Sequence, residues 1–161
     1  MSVSANRIWR QMPEELRIAA SKVFWAESKS AEKQFLSASL AKAKKLREVT
    51  VRKSPIERLA NWTATTPTLP DLILDDLLKI YLLREHRAVI ISFLELLNIP
   101  HADGMIEESF DLATLPTEQV QKAAQSLLES ADRTGAVLYL KYLVSQGGPW
   151  AAIEEVLPAE E

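Results

Sequence analysis

An all-α fold, a compact bundle of about seven or eight helices packed as helical hairpins, is what this sequence predicts. Three observations carry that expectation. Glycine is scarce, with only Gly104, Gly135, Gly147 and Gly148, while Leu, Ala, Glu and Lys are plentiful. Such a composition favours helices joined by short turns. Apolar residues recur at three- and four-residue spacing through most of the chain. No Asn-Gly or Asp-Gly pair joins two alternating runs, and Asp103-Gly104 lies between helical stretches, so hairpins lack their usual signal.

Pro13 with Glu14 and Glu15 reads as the first helix start, because proline suits a first turn and acids meet the positive end of the helix dipole. Leu16, Ala19, Ala20, Val23 and Phe24 continue it. A second helix is expected from about Ser30 to Glu48, with Leu36, Leu40, Ala43 and Leu46 as its apolar stripe. Ser54 before Pro55 starts a short third helix through Trp62. The segment 63–70 holds four threonines and two prolines and reads as a linker, the one sub-boundary in an otherwise single all-helical domain over 1–161. Asp71, Asp75, Asp76 and Lys79 mark the wet face of the next helix. Arg84-Glu-His-Arg87 breaks the chain before an apolar helix, Ala88 to Leu97. Residues 98–116 form a long loop, of a length that often carries function. Helices are expected again over Thr117–Ala131, Gly135–Ser145 and Trp150–Leu157, and the tail 158–161 is expected to fray.

A candidate internal repeat runs through this pattern. Thr68-Leu69-Pro70 recurs as Thr114-Leu115-Pro116, 46 residues on. The same offset pairs Leu82 with Leu128, Arg87 with Arg133, and Phe93 with Tyr139. Two helical hairpins, 68–97 and 114–143, would be the copies. The period resembles those of helical-repeat proteins, roughly 40–47 residues in some classes, although the motifs of those families are absent.

At 161 residues, with 47% hydrophobic and 25% charged residues, the chain suits one globular domain. The absence of cysteine excludes disulfides, thiolate metal sites and a cysteine nucleophile, and fits a reducing cytoplasm. The first ten residues lack the apolar core of a secretory signal. The most apolar run, Ala88–Ile99, is far shorter than the roughly 20 residues a membrane span requires. The net charge of −3 conceals a split: residues 1–58 carry thirteen Lys/Arg against six acids, and residues 59–161 carry six against sixteen. A split of this kind has two common explanations: the halves attract each other, within a molecule or between copies, or one half carries a charged partner surface.

Three candidate sites emerge. The basic segment 29–58, with Lys33, Lys42, Lys44, Lys45, Arg47, Arg52 and Lys53, would present a cationic face to an acidic protein surface. A phosphate backbone is the second reading, with Phe35 and Trp62 as stacking platforms if exposed. The second site is His101 with Asp103 and Gly104 in the long loop, near Glu107, Glu108 and Asp111. A histidine and a carboxylate two residues apart suit a metal or a proton transfer. The plainer reading is a turn, with Asp103-Gly104 supplying positive φ. The third is His86, a general base flanked by charge or simply a helix-end residue. Trp25 and Trp62 read as core, and Trp9 and Trp150 as anchors for the terminal segments or for a partner. No dinucleotide, P-loop, hydrolase-elbow or EF-hand motif occurs, so no cofactor is expected. The expected function is a non-catalytic protein-interaction or scaffold module. An enzyme or metal-binding protein using the 98–116 loop and a nucleic-acid binder are the alternatives.

Overall fold

A computed structural model describes residues 4–158. The expected fraying of the tail falls, beyond Pro158, outside them. The protein is all-α, 74% helical. Among the described residues there are nine α-helices: α1 Ala5–Gln11, α2 Glu14–Glu27, α3 Ser30–Lys44, α4 Glu48–Arg52, α5 Ile56–Thr65, α6 Asp71–Glu85, α7 Arg87–Leu96, α8 Thr117–Leu128 and α9 Arg133–Gln146. Two short 3-10 segments, Leu112–Thr114 and Gly148–Val156, and two two-residue strands, β1 His101–Ala102 and β2 Met105–Ile106, complete the described chain. The helix count exceeds the expected one because α1 and α4 are short elements with weak periodicity. Ser4 caps α1, its hydroxyl accepting from Arg7 N at 3.2 Å. The second expected helix stops early: Lys45 takes a left-handed conformation at φ 56° and ends α3.

Residues 4–84 and 85–158 form two compact units. In the N-terminal unit, α2 packs along α5, and α4 packs on α3. Trp25 Nε1 donates to Thr63 Oγ1 at 3.0 Å, joining α2 to α5. The segment expected to be a linker lies inside this unit. Its first threonines belong to the last turn of α5, where the Thr63, Thr65 and Thr66 hydroxyls donate back to the Leu59, Asn61 and Trp62 carbonyls. The chain between α5 and α6 is pinned by α1: Asn6 Nδ2 donates to Leu69 O at 2.8 Å and to Asp71 Oδ1 at 2.7 Å. Trp9 is fully buried here, so of the two expected roles it takes that of an anchor for the terminal segment.

In the C-terminal unit, α7, α8 and α9 pack on one another, and the last 3-10 segment packs on α8 and α9. Phe93 is the hub of an aromatic cluster, 5.7 Å from Tyr139 edge-to-face and 5.8 Å from Trp150. Trp150 is buried by these contacts. Burial pushes the Tyr139 phenol well above its usual range, with Tyr142 adding to the rise.

The long loop contains a hairpin that the sequence did not announce. Ala102 pairs with Met105 and His101 with Ile106. Asp103 (φ 50°) and Gly104 (φ 90°) form a two-residue turn with positive φ at both positions, the geometry that selects Asp-Gly. The strands are too short to leave an alternating signature.

Helix starts keep the 46-residue offset of the candidate repeat: α6 and α8 begin at 71 and 117, α7 and α9 at 87 and 133. Coincident starts are necessary for a duplication but not sufficient.

Candidate functional site

The unit boundary keeps the sign of the charge split, with a smaller difference than a division at residue 58. The N-terminal unit holds fifteen Lys/Arg and nine Asp/Glu, a formal +6. The described C-terminal unit holds four and eleven, a formal −7. The positive excess gathers on α3 and α4 and the turns at their C-terminal ends. Lys42, Lys45, Arg47, Arg52 and Lys53 are exposed, and Lys33 and Lys44 half-buried. None of these seven forms an ion pair with a described residue. The α3 stripe turns inward through Leu36, Leu40 and Ala41; Lys42 takes the opposite face, while Lys33 and Lys44, at the two ends of the same stripe, are half-buried. Large apolar side chains stand exposed among them: Phe35 (50%), Val49 (52%), Leu46 and Ile56. Trp62 is half-buried, with the Arg58 guanidinium 6.0 Å above its ring.

A cleft of about 450 Å³ opens in this unit. Its floor is Trp25, Ser37 and Leu59, all buried, and its rim carries Lys33, Gln34, Arg52 and Ile56. Lys33 and Arg52 are legible in the sequence as members of a basic face. That they share a cleft depends on the reversal of the chain between α3 and α4, which no local pattern encodes.

His86 lies in the other unit, between α6 and α7, where it is the N-cap residue of α7. Its Nδ1 is 2.6 Å from Asp132 Oδ2. Asp132 is the N-cap of α9, and its Oδ1 accepts from Gly135 N at 3.0 Å. The pair therefore joins the starts of two helices. His86 is 14% exposed and Asp132 43%. Burial works to raise the Asp132 pKa, but the Gly135 amide, the hydrogen bond to His86 and the charge of that imidazole together hold it below the usual carboxyl value. Gly135 is part of the arrangement, since a Cβ there would collide with His86 Nδ1 and Asp132 Oδ2. Sequence reasoning named His86 but missed Asp132. The signals were the Asp-Arg-Thr-Gly helix start and the 46-residue offset, which carries His86 onto Asp132.

His101 is held in the hairpin. Its Nδ1 accepts from Gly104 N at 3.1 Å, and its Nε2 lies 3.9 Å from Glu95 Oε1. The imidazole bonds to the Gly104 amide and not to Asp103. The structure pairs His86 with Asp132 across the starts of α7 and α9. Among the described residues no group of three or more His, Asp or Glu side chains is placed to hold a metal ion. No described helix is long and apolar enough to cross a membrane.

Comparison with protein-family models, curated proteins and solved structures gives no match for this chain.

Proposed function

We propose that the chain is a non-catalytic protein-interaction module whose N-terminal unit docks an acidic partner surface through α3, α4 and the turns beside them. The observation that carries this reading is the mixture on that face. Seven cations without ion pairs and four exposed apolar side chains, Phe35, Leu46, Val49 and Ile56, lie on α3, α4, the turns beside them and the start of α5. Cations that lack internal partners cost little to pair with an external acid and steer its approach. Exposed aromatic and aliphatic groups at the centre supply the burial that holds a complex. The acidic surface belongs to a partner protein or to another copy of this chain, where the C-terminal unit is the acidic one.

The surroundings of the two histidines support this reading over a catalytic one. The partner of His86 is at the same time the N-cap of α9, and His101 accepts from the amide of its own turn. Both contacts hold chain ends and turns in place, a structural use of the imidazole.

Capture from the native lysate with tagged protein, with and without nuclease, tests the proposal. A nuclease-resistant partner is expected. A catch that disappears with nuclease would move the reading to nucleic acid, for which the basic 29–58 segment is the argument.

A further inference from the structure

We infer that the cleft beside α3, α4 and α5 is a binding site for a small amphipathic organic anion, a carboxylate carried on an aliphatic or aromatic body. Its volume of about 450 Å³ lies within the roughly 300–1,000 Å³ typical of small-molecule sites. The site is apolar below and cationic above. Trp25 and Leu59 are buried in the floor, while Lys33 and Arg52 stand at the rim without an ion pair among the described residues. No acidic residue lines it. Glu32, next to Lys33, is turned to the Lys29 N–H at 3.0 Å. Ser30 and Ile56, the first residues of α3 and α5, also line the cleft, so the positive ends of two helix dipoles add to the same sign.

The hydrogen-bonding capacity selects the head group. The Ser37 and Ser54 hydroxyls donate to Lys33 O at 2.7 Å and Thr50 O at 2.8 Å, so toward the cleft they offer lone pairs only. The donors that remain are the Lys33 ammonium, the Arg52 guanidinium, the Gln34 amide and the Ser30 hydroxyl. That set suits an anionic head group, with Arg52 able to meet the two oxygens of a carboxylate by a pair of parallel hydrogen bonds, and the apolar floor favours a head group carried on a hydrocarbon body. The apolar body takes the floor. Trp25 is fixed there by its bond to Thr63 Oγ1, and a fixed aromatic wall loses little freedom when a ligand arrives.

The test is a titration of the full chain with octanoate, followed through the Trp25 indole N–H resonance. Octylamine and inorganic phosphate serve as comparison probes. Saturable one-to-one octanoate binding is expected, with neither comparison probe producing the same shift. Lys33→Ala/Arg52→Ala should weaken octanoate by about tenfold or more, the loss of a charge-assisted hydrogen bond. Lys122→Ala, in the C-terminal unit and outside the lining, should leave it unchanged. Arg52 is exposed, so Arg52→Ala alone provides a variant whose fold is intact. No saturable shift at Trp25 would overturn the inference, as would equal binding of octylamine or phosphate, or binding indifferent to Lys33 and Arg52. Loss of partner capture in the double variant, with no octanoate binding by the wild type, would assign the cleft to the partner surface instead.

Discussion

Gly135 lies in the first turn of α9, where alanine is ordinarily the better helix former by about 1 kcal/mol. Here a Cβ would meet His86 Nδ1 and Asp132 Oδ2. Gly135→Ala therefore gains that propensity and loses a hydrogen bond to a charged group, worth roughly 1.5–3 kcal/mol. The partial exposure of Asp132 places the loss toward the low end, and a net destabilisation of about 0.5 kcal/mol is expected. Urea unfolding should show a lower midpoint with an unchanged slope. The pair also predicts a pH dependence. Asp132 has a folded pKa depressed below its ordinary 3.8. Its contribution is present above that ordinary value and is lost as pH falls through the lower, folded one. Wild type should exceed Asp132→Asn in stability near neutrality, and the gap should close in acid. A gap that widens in acid would contradict the assignment. His86 was legible in the sequence as a helix-end residue flanked by charge, but Asp132 lies 46 residues away and the pairing is set by packing.

The helices themselves were largely legible, because apolar spacing survives in almost every one of them. Their ends were legible where chemistry marks them: Pro13 with two glutamates opens α2, and Gly147 closes α9. They were not legible where an unfavoured residue does the work. Lys45 ends α3 in the left-handed region, a conformation that costs a non-glycine residue roughly 1–2 kcal/mol. Lys45→Gly should stabilise the protein by about 0.5–1 kcal/mol, once the greater freedom of an unfolded glycine is subtracted. Thermal unfolding checks this, and a lower melting temperature would show that the Lys45 side chain contributes more than its backbone costs. The segment 63–70 does stop one helix and set up the next, but a few residues later than expected: Thr63 and Thr65 still belong to α5, and the non-helical connection is 66–70. The Asp103-Gly104 hairpin was missed because strands of two residues carry no period. At the candidate site the basic residues were legible, whereas the cleft was not: its lining joins the end of α2 and the starts of α3 and α5 to the turn after α4.

On the scale of the whole molecule, the charge split of the sequence coincides with a division of the structure. The N-terminal unit is net positive and the C-terminal unit net negative, although the sequence alone placed the change near residue 58 and the units divide at 84. Each unit has its own aromatic core, around Phe24 and Trp25 in one and Phe93, Tyr139 and Trp150 in the other. The central proposal is that the basic face of the N-terminal unit binds an acidic protein surface. The most direct measurement is the affinity of the captured partner for wild type and for Lys42→Glu/Lys44→Glu/Lys45→Glu, at low and at physiological ionic strength. The proposal predicts a loss of about tenfold or more in the variant, larger at low salt and expressed mainly in the association rate. Equal affinity and equal salt dependence for the two proteins would contradict it.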